Sequence, residues 1–240
     1  MLTAIPDAFL SLIYPQECRN CKLSVESSAD GAACRACWEN TRIFSDKTIL
    51  CNKCGIFLME SECPIETLCR RCDDHFYDSA RAIGVYENAL AASVVHLKQT
   101  PHVAKILRIL LKTAFQESSF QASTLIVPVP LSPRRLLERG FNQAGVLGRI
   151  VAKDTGIDLD EHSLIRTLHS PMHRAAMDKK AREMTVKNAF QVSRPKLIAN
   201  QNILLVDDVF TSGSTASHCA KALKKSGAGK VNVLTLARAV

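Results

Sequence analysis

Aromatic side chains are scarce in this 240-residue chain: one Trp, three Tyr and nine Phe, 5% in all. A surface that grips single-stranded nucleic acid by stacking needs rings spaced along a strand path. Trp38 lies instead among cysteines, and Phe120 and Phe141 have no partners at regular spacing. Missing too is any apolar run near the ~20 residues that cross a bilayer. The apolar start, Ala8 to Tyr14, is short, follows Asp7, and has no basic segment before it. It reads as neither a membrane anchor nor a secretory leader, so the expected address is the cytoplasm. After residue 72 there is one cysteine, Cys219, which a helical setting makes a packed apolar side chain.

What is present divides the chain in two. Nine of the ten cysteines precede residue 73, and eight form Cys-x-x-Cys pairs: Cys18/Cys21, Cys34/Cys37, Cys51/Cys54 and Cys69/Cys72. Each such knuckle turns two thiolates toward one point, and two knuckles make the four-sulfur tetrahedron that zinc favours. A single pair also fits a redox motif; four in series point to metal. Without a secretory leader a disulfide framework is disfavoured. Sequential pairing of knuckles gives two zinc sites, and an interleaved cross-brace gives two as well; spacing leaves both open. Cys63 falls outside the pattern as a free thiol. Such a module buries little apolar surface, so zinc should supply most of its folding free energy. Chelation is therefore expected to unfold residues 15–75 and spare the rest.

Charge follows the same division. Residues 1–78 hold 8 Lys/Arg and 12 Asp/Glu, and residues 79–240 hold 23 and 11, so a net +8 conceals −4 against +12. The basic part suits a polyanion such as a diphosphate or a nucleic-acid backbone. Its hydrophobic pattern alternates strands with helices. Strands are expected at Ser79–Tyr86, Thr124–Val129, Leu164–Thr167, Ala189–Val192, Asn202–Asp207 and Lys230–Leu236. Helices are expected at Glu87–Lys98, His102–Phe115, Asn142–Thr155, Asp178–Val186 and Ser214–Ser226. That order predicts an α/β fold, a mainly parallel sheet with helices on both faces.

The sharpest motif is Ile203–Thr215, ILLVDDVFTSGST. A buried strand delivers Asp207 and Asp208 to its carboxyl end, where ligands bind in open α/β sheets. Thr211, Ser212, Gly213, Ser214 and Thr215 then turn into a helix whose first N–H groups make a phosphate site. Adjacent carboxylates accept from a sugar diol. Phosphate cradle and diol clamp together describe a ribose 5-phosphate. Upstream, in VPVPLSPRRLLERGFNQ, a strand ends at Val129 and Arg134, Arg135 and Arg139 follow the turn as fixed, always-charged donors. The basic segment His169–Asn188 lies between two expected strands.

The stretch ILLVDDVFTSGST resembles the 13-residue signature of type I phosphoribosyltransferases, with Phe210 where an aliphatic residue is common. Together with VPVPLSPRR, ERGFNQ and the cysteine knuckles it resembles the ComF/GntX family of competence-related proteins, from Tyr14-Pro15 to the closing LTLARA. The resemblance implies a type I phosphoribosyltransferase-like domain over residues 77–240. Ahead of it, residues 1–76 would form an N-terminal helix and a double zinc ribbon. It further implies phosphoribosyl diphosphate with Mg²⁺ as ligand. Asp207, Asp208, Arg134 and Arg135 would then act at the reacting sugar, and Arg139 with Thr211–Thr215 would bind phosphoryl oxygens. His169–Asn188 would be a loop that closes over the substrate. No hood follows the last expected strand, so a cover is expected from residues 79–120 or from the ribbon. Single-stranded DNA and competence proteins are the alternative partners that this family implies.

Overall fold

The structure, a computed structural model, describes residues 16–58, 68–69, 74–167 and 189–239. The expected N-terminal helix, Cys63, Cys72, the helix over 178–186 and the basic segment over 169–188 lie outside the described residues. Helix α1 (Arg35–Glu39) sits within the first cysteine cluster. Then follow β1 (Ser79–Val85), α2 (Asn88–Leu97), α3 (Lys105–Gln116), β2 (Leu125–Pro128), α4 (Pro133–Arg139), α5 (Gln143–Thr155) and β3 (Asp158–Leu159). The chain closes with β4 (Leu164–Arg166), β5 (Phe190–Val192), α6 (Pro195–Ile198), β6 (Ile203–Phe210), α7 (Ser214–Lys225) and β7 (Val231–Arg238).

Five strands form one sheet in the order β1-β7-β6-β2-β3, every pair parallel. Strands β4 and β5 pair antiparallel in a small sheet of their own. The central β6 and β7 are apolar nearly throughout, as strands covered on both faces must be. One face packs Leu204, Val206 and Leu234 against Leu90, Leu107, Leu111, Leu147 and Val151 of α2, α3 and α5. The other packs Ile203, Leu205 and Val233 against Cys219, Ala220 and Leu223 of α7 and against Leu164 and Phe190 of the small sheet. Cys219 is fully buried there, as expected.

Two local readings are corrected, and two short elements are added. The turn holding the arginines is a helix, α4: Ser132 accepts from the Arg135 N–H at 3.4 Å, Pro133 opens it and left-handed Gly140 ends it. Those are ordinary start and stop signals, hidden in a basic stretch read as a loop. Strand β6 does not stop at the aspartates but runs on to Phe210, because its partner β7 also continues to Arg238. Short β3 and α6 carry too few residues for a periodicity to show.

The ribbon is not an appendage. Cys18, Cys34, Cys37 and Trp38 belong to the apolar core on the α2/α3 face, while Cys51, Cys54 and Tyr77 belong to the core on the α7 face. The intervening chain crosses the free edge of β1: Phe44 N–H donates to Ile83 O at 2.8 Å, Val85 N–H to Arg42 O at 2.9 Å, and Ala80 N–H to Lys53 O at 2.7 Å. A Cβ on Gly84 would lie 2.3 Å from Arg42 O, so only glycine permits this approach. The expectation that residues after 75 outlast chelation does not fit a core shared this closely.

Candidate ligand and metal sites

Two cysteine clusters bring their sulfurs within 4.8 Å of one another: Cys18, Cys21, Cys34 and Cys37, and separately Cys51, Cys54 and Cys69. Pairing is therefore sequential rather than interleaved. The donor set fits zinc. Sulfur separations of 3.6 Å (Cys18–Cys37), 3.5 Å (Cys21–Cys34) and 3.4 Å (Cys54–Cys69) approach the ~3.8 Å edge of a tetrahedron with 2.3 Å Zn–S bonds. In each cluster, burial raises the first thiol but backbone N–H groups outweigh it, holding Cys18 and Cys51 down at about 6. Burial and neighbouring sulfurs push Cys37 up to about 12 and Cys54 to about 11. Crowded acids of this kind are relieved by a divalent cation that takes all the sulfurs as thiolates.

The second site lies where the chain direction reverses across the sheet. From β2 the chain steps outward to β3, and from β6 it steps the other way to β7. The crevice between β2 and β6 is the switch point of the fold. Asp207 and Asp208 stand at its β6 side, both partly buried. Successive strand residues face opposite sides, and the two carboxylates differ accordingly. Asp208 meets Lys98, just past α2, at 3.4 Å. Asp207 accepts from the Asp208 N–H at 2.9 Å and, among the described residues, has no ion pair. Burial first, and the neighbouring Asp208 next, push the Asp207 carboxyl well above the ordinary range.

The loop after β6 closes a hollow on the β7 side of β6 that takes in Asp207. Asp207, Phe210, Thr211, Gly213, Thr215 and Thr235 line a cleft of about 20 Å³, room for about one water. Gly213 is left-handed (φ 79°) and begins α7. A Cβ there would lie 2.7 Å from the Phe210 ring, so the position requires glycine. Thr211, Ser212, Ser214 and Thr215 are exposed. The Ser212 hydroxyl accepts from the Ser214 N–H at 3.4 Å, a turn that opens the helix N-terminus outward.

The arginines separate. Arg134 pairs with Glu138 at 2.7 Å, both well exposed, along the outside of α4. Arg135 is exposed but close enough to Arg166 to depress that guanidinium, after burial has done most of it. Arg139 is half-buried at the end of the helix. Two residues beside the aspartates were not singled out in the sequence. Lys98 closed a helix reading and carried no motif. Arg166, whose Nε is buried without a partner and whose guanidinium lies 5.4 Å from the Phe190 ring, sat in a three-residue strand. A basic residue at a strand end was the only signal for it.

Comparison with known proteins adds identity. A family model described as a double zinc ribbon domain matches residues 9–74. The DNA utilization protein YhgH of Salmonella typhimurium is 30% identical over 237 residues, 95% of this chain and 99% of that one. Competence protein F of Haemophilus influenzae is 27% identical over 231 residues, 92% and 96% of the two chains. Competence protein ComFC of Bacillus subtilis is 32% identical over 115 residues, 48% and 44% of the two. A solved glutamine phosphoribosylpyrophosphate amidotransferase from B. subtilis aligns at TM-score 0.37 and 18% identity, over 62% of this chain and 26% of that one. The fold stands on the strand order above and not on that last alignment. Near full-length agreement with YhgH, joined to paired ribbons ahead of a parallel sheet with helices on both faces, places the chain in the ComF family of competence and DNA utilization proteins.

Proposed function

We propose that the carboxyl end of β6, with the loop that follows it, binds phosphoribosyl diphosphate, or a related phosphorylated ribose. The observation that carries this is one hollow shared by Asp207 and by Thr211, Gly213 and Thr215. The 5-phosphate would take the N–H groups and hydroxyls that open α7. Asp207 and Asp208 would accept from the ribose 2′ and 3′ hydroxyls, with Lys98 holding Asp208 in place. Arg135, Arg139 and the nearby Arg166 would meet the diphosphate, and Arg134 would join them on leaving Glu138. The Mg²⁺ that accompanies a diphosphate supplies charge neutralisation when bound. Attack of a nitrogen nucleophile on ribose C1, with loss of diphosphate, is the reaction such a site supports. A cytoplasmic location belongs to this reading; among the described residues no helix is long and apolar enough to cross a membrane.

The test is ligand-induced stabilisation. Phosphoribosyl diphosphate at about 100 times its dissociation constant should add about 2.7 kcal/mol, seen as a raised melting temperature with Mg²⁺ present. Asp207→Asn with Asp208→Asn should abolish the shift. No shift in the wild type refutes the reading. Diphosphate release with a panel of bases then reads out turnover.

A second reading has its own support. Relatives are named for DNA utilization and competence, and residues 79–240 carry a net +12. Handling of single-stranded DNA by its phosphates, alongside competence proteins, follows from these. It predicts retention in low salt that falls steeply as salt rises and weakens on Arg134 and Arg135 substitution.

A further inference from the structure

Between the second cysteine cluster and the Thr211–Thr215 loop lies a chain of contacts with no gap in it. At one end, the carbonyl and Sγ of Cys54 both accept from Arg238, the latter at 3.6 Å. Arg238 is 6% exposed. Its guanidinium carbon lies 4.6 Å from the centre of the Phe210 ring. Tyr77 meets Phe210 edge-on at 5.7 Å, and His75 stacks on Tyr77 at 5.0 Å. Burial lowers the His75 pKa, while a hydrogen bond to the Ser212 backbone opposes it. At the other end, the added Cβ on Gly213 would touch both Phe210 (2.7 Å) and the Tyr77 hydroxyl (3.1 Å), so the loop backbone rests directly on these rings. Phe76 N–H donates to Ser217 Oγ at 3.1 Å and Lys221 caps the Phe76 ring at 4.4 Å, which fastens the same segment to α7.

We propose that the second cysteine cluster, when it holds zinc, fixes the conformation of the Thr211–Thr215 loop through Arg238, which makes that site a metal-dependent control on the loop. The functional meaning rests on the reading above, in which this loop receives a phosphoryl group. Cys51, Cys54 and Cys69 would hold the ion together, and the bond to it would immobilise Cys54. Arginine transmits that position because its fork is planar and always charged: its edge donates to Cys54 and its face lies on Phe210. Among the described residues the buried Nε has no partner, and Cys54 is the acceptor that anchors the group. Without the ion, Cys54 is released, and a buried guanidinium that loses its acceptors shifts rather than bear the cost. Phe210, and the Gly213 backbone on it, shift too. The first cluster has no such path, since its cysteines join the core on the other face. Linkage makes the effect reciprocal: a ligand favoured by zinc must hold zinc by the same factor.

The experiment uses the full-length, zinc-loaded chain, with Arg238→Met and Arg238→Lys. Hydrogen exchange of the amides at 211–216 is measured, and chelator-driven zinc loss is followed with and without phosphoribosyl diphosphate. Arg238→Met should keep its zinc yet exchange about tenfold faster at 211–216, as expected for losing a charged hydrogen bond. Arg238→Lys, which keeps a charged donor but not the planar fork, should recover part of that protection. Phosphoribosyl diphosphate should slow zinc loss from the wild type but not from Arg238→Met. Unchanged exchange in Arg238→Met overturns the inference. Faster exchange with no ligand effect on either protein upholds the coupling and refutes the ligand assignment instead. Should Arg238→Met fail to fold, Phe210→Leu removes the ring and keeps the apolar bulk, with the same loosening expected.

Discussion

The two ribbons have the same ligand chemistry and opposite places in the molecule. The first backs the α2/α3 face, where Trp38 donates its indole N–H to Asp30 O at 3.0 Å and Asn88 of α2 donates to Asn40 O at 2.7 Å. Its side of the crevice is the Asp208 side, reached through the helix that ends at Lys98. The second backs the α7 face and reaches the Thr211–Thr215 loop through Arg238 and Phe210. Duplicated modules of one kind thus support different halves of one site. The first supplies a scaffold for a helix; the second reaches the loop through one arginine and one ring.

Metal removal is the bluntest way to break that comparison. Structural zinc is worth about 10–16 kcal/mol per site in zinc-finger peptides, comparable to the ~5–15 kcal/mol total stability of a domain. Metal-replete protein should carry two zincs per chain by elemental analysis. Chelation should lower the melting of the whole chain in one transition, because both cores include ribbon side chains. A surviving transition at the original temperature would show that the parallel sheet folds alone.

A finer cut separates the ribbons. Trp38 is 8% exposed in the first ribbon core, and Trp38→Ala should cost about 3–5 kcal/mol by urea unfolding. The loop at 211–216 should nevertheless keep its exchange protection in native buffer. Loosening of that loop equal to that in Arg238→Met would erase the distinction drawn between the two modules.

The smallest effect tests the asymmetry of the aspartates. Asp207 is raised by burial and by Asp208, so the folded chain keeps a proton there that the unfolded chain has released. Stability from this group is full below the unfolded value of about 3.9 and is lost as pH climbs through the folded value. Asp207→Asn should therefore gain melting temperature relative to the wild type as pH rises from about 4 to about 8. Asp208→Asn, which removes the lesser cause of that shift and leaves Asp207 buried, should show a smaller gain. Identical pH profiles for both variants would mean that the pair is symmetric.

Much of this was legible in the residues. Four knuckles announced zinc, and the apolar strand, acidic pair and hydroxyl-rich turn announced the crevice, because each depends on local spacing. What stayed hidden depends on contacts distant in sequence. Lys98 and Asp208 are brought together only by the order in which strands join the sheet. Arg238 gave no signal, since a basic residue at the end of a strand reads as solvated, and here it is buried against Cys54. Phe210 read as a bulky departure from the usual aliphatic residue; its ring is the surface on which Gly213 rests. Sequential sulfur pairing also needed coordinates, because gaps of similar length fit either arrangement.

The chain between the ribbons, pressed along β1, has a consequence for how the protein is handled in the cell and at the bench. An outer strand stripped of its neighbour offers a row of unsatisfied amides and carbonyls to any other polypeptide. Residues 42–53 occupy that row. A fragment trimmed to begin at β1, or a chain caught before its metal arrives, therefore presents a sticky border, and self-association rather than simple unfolding is the fate that awaits it.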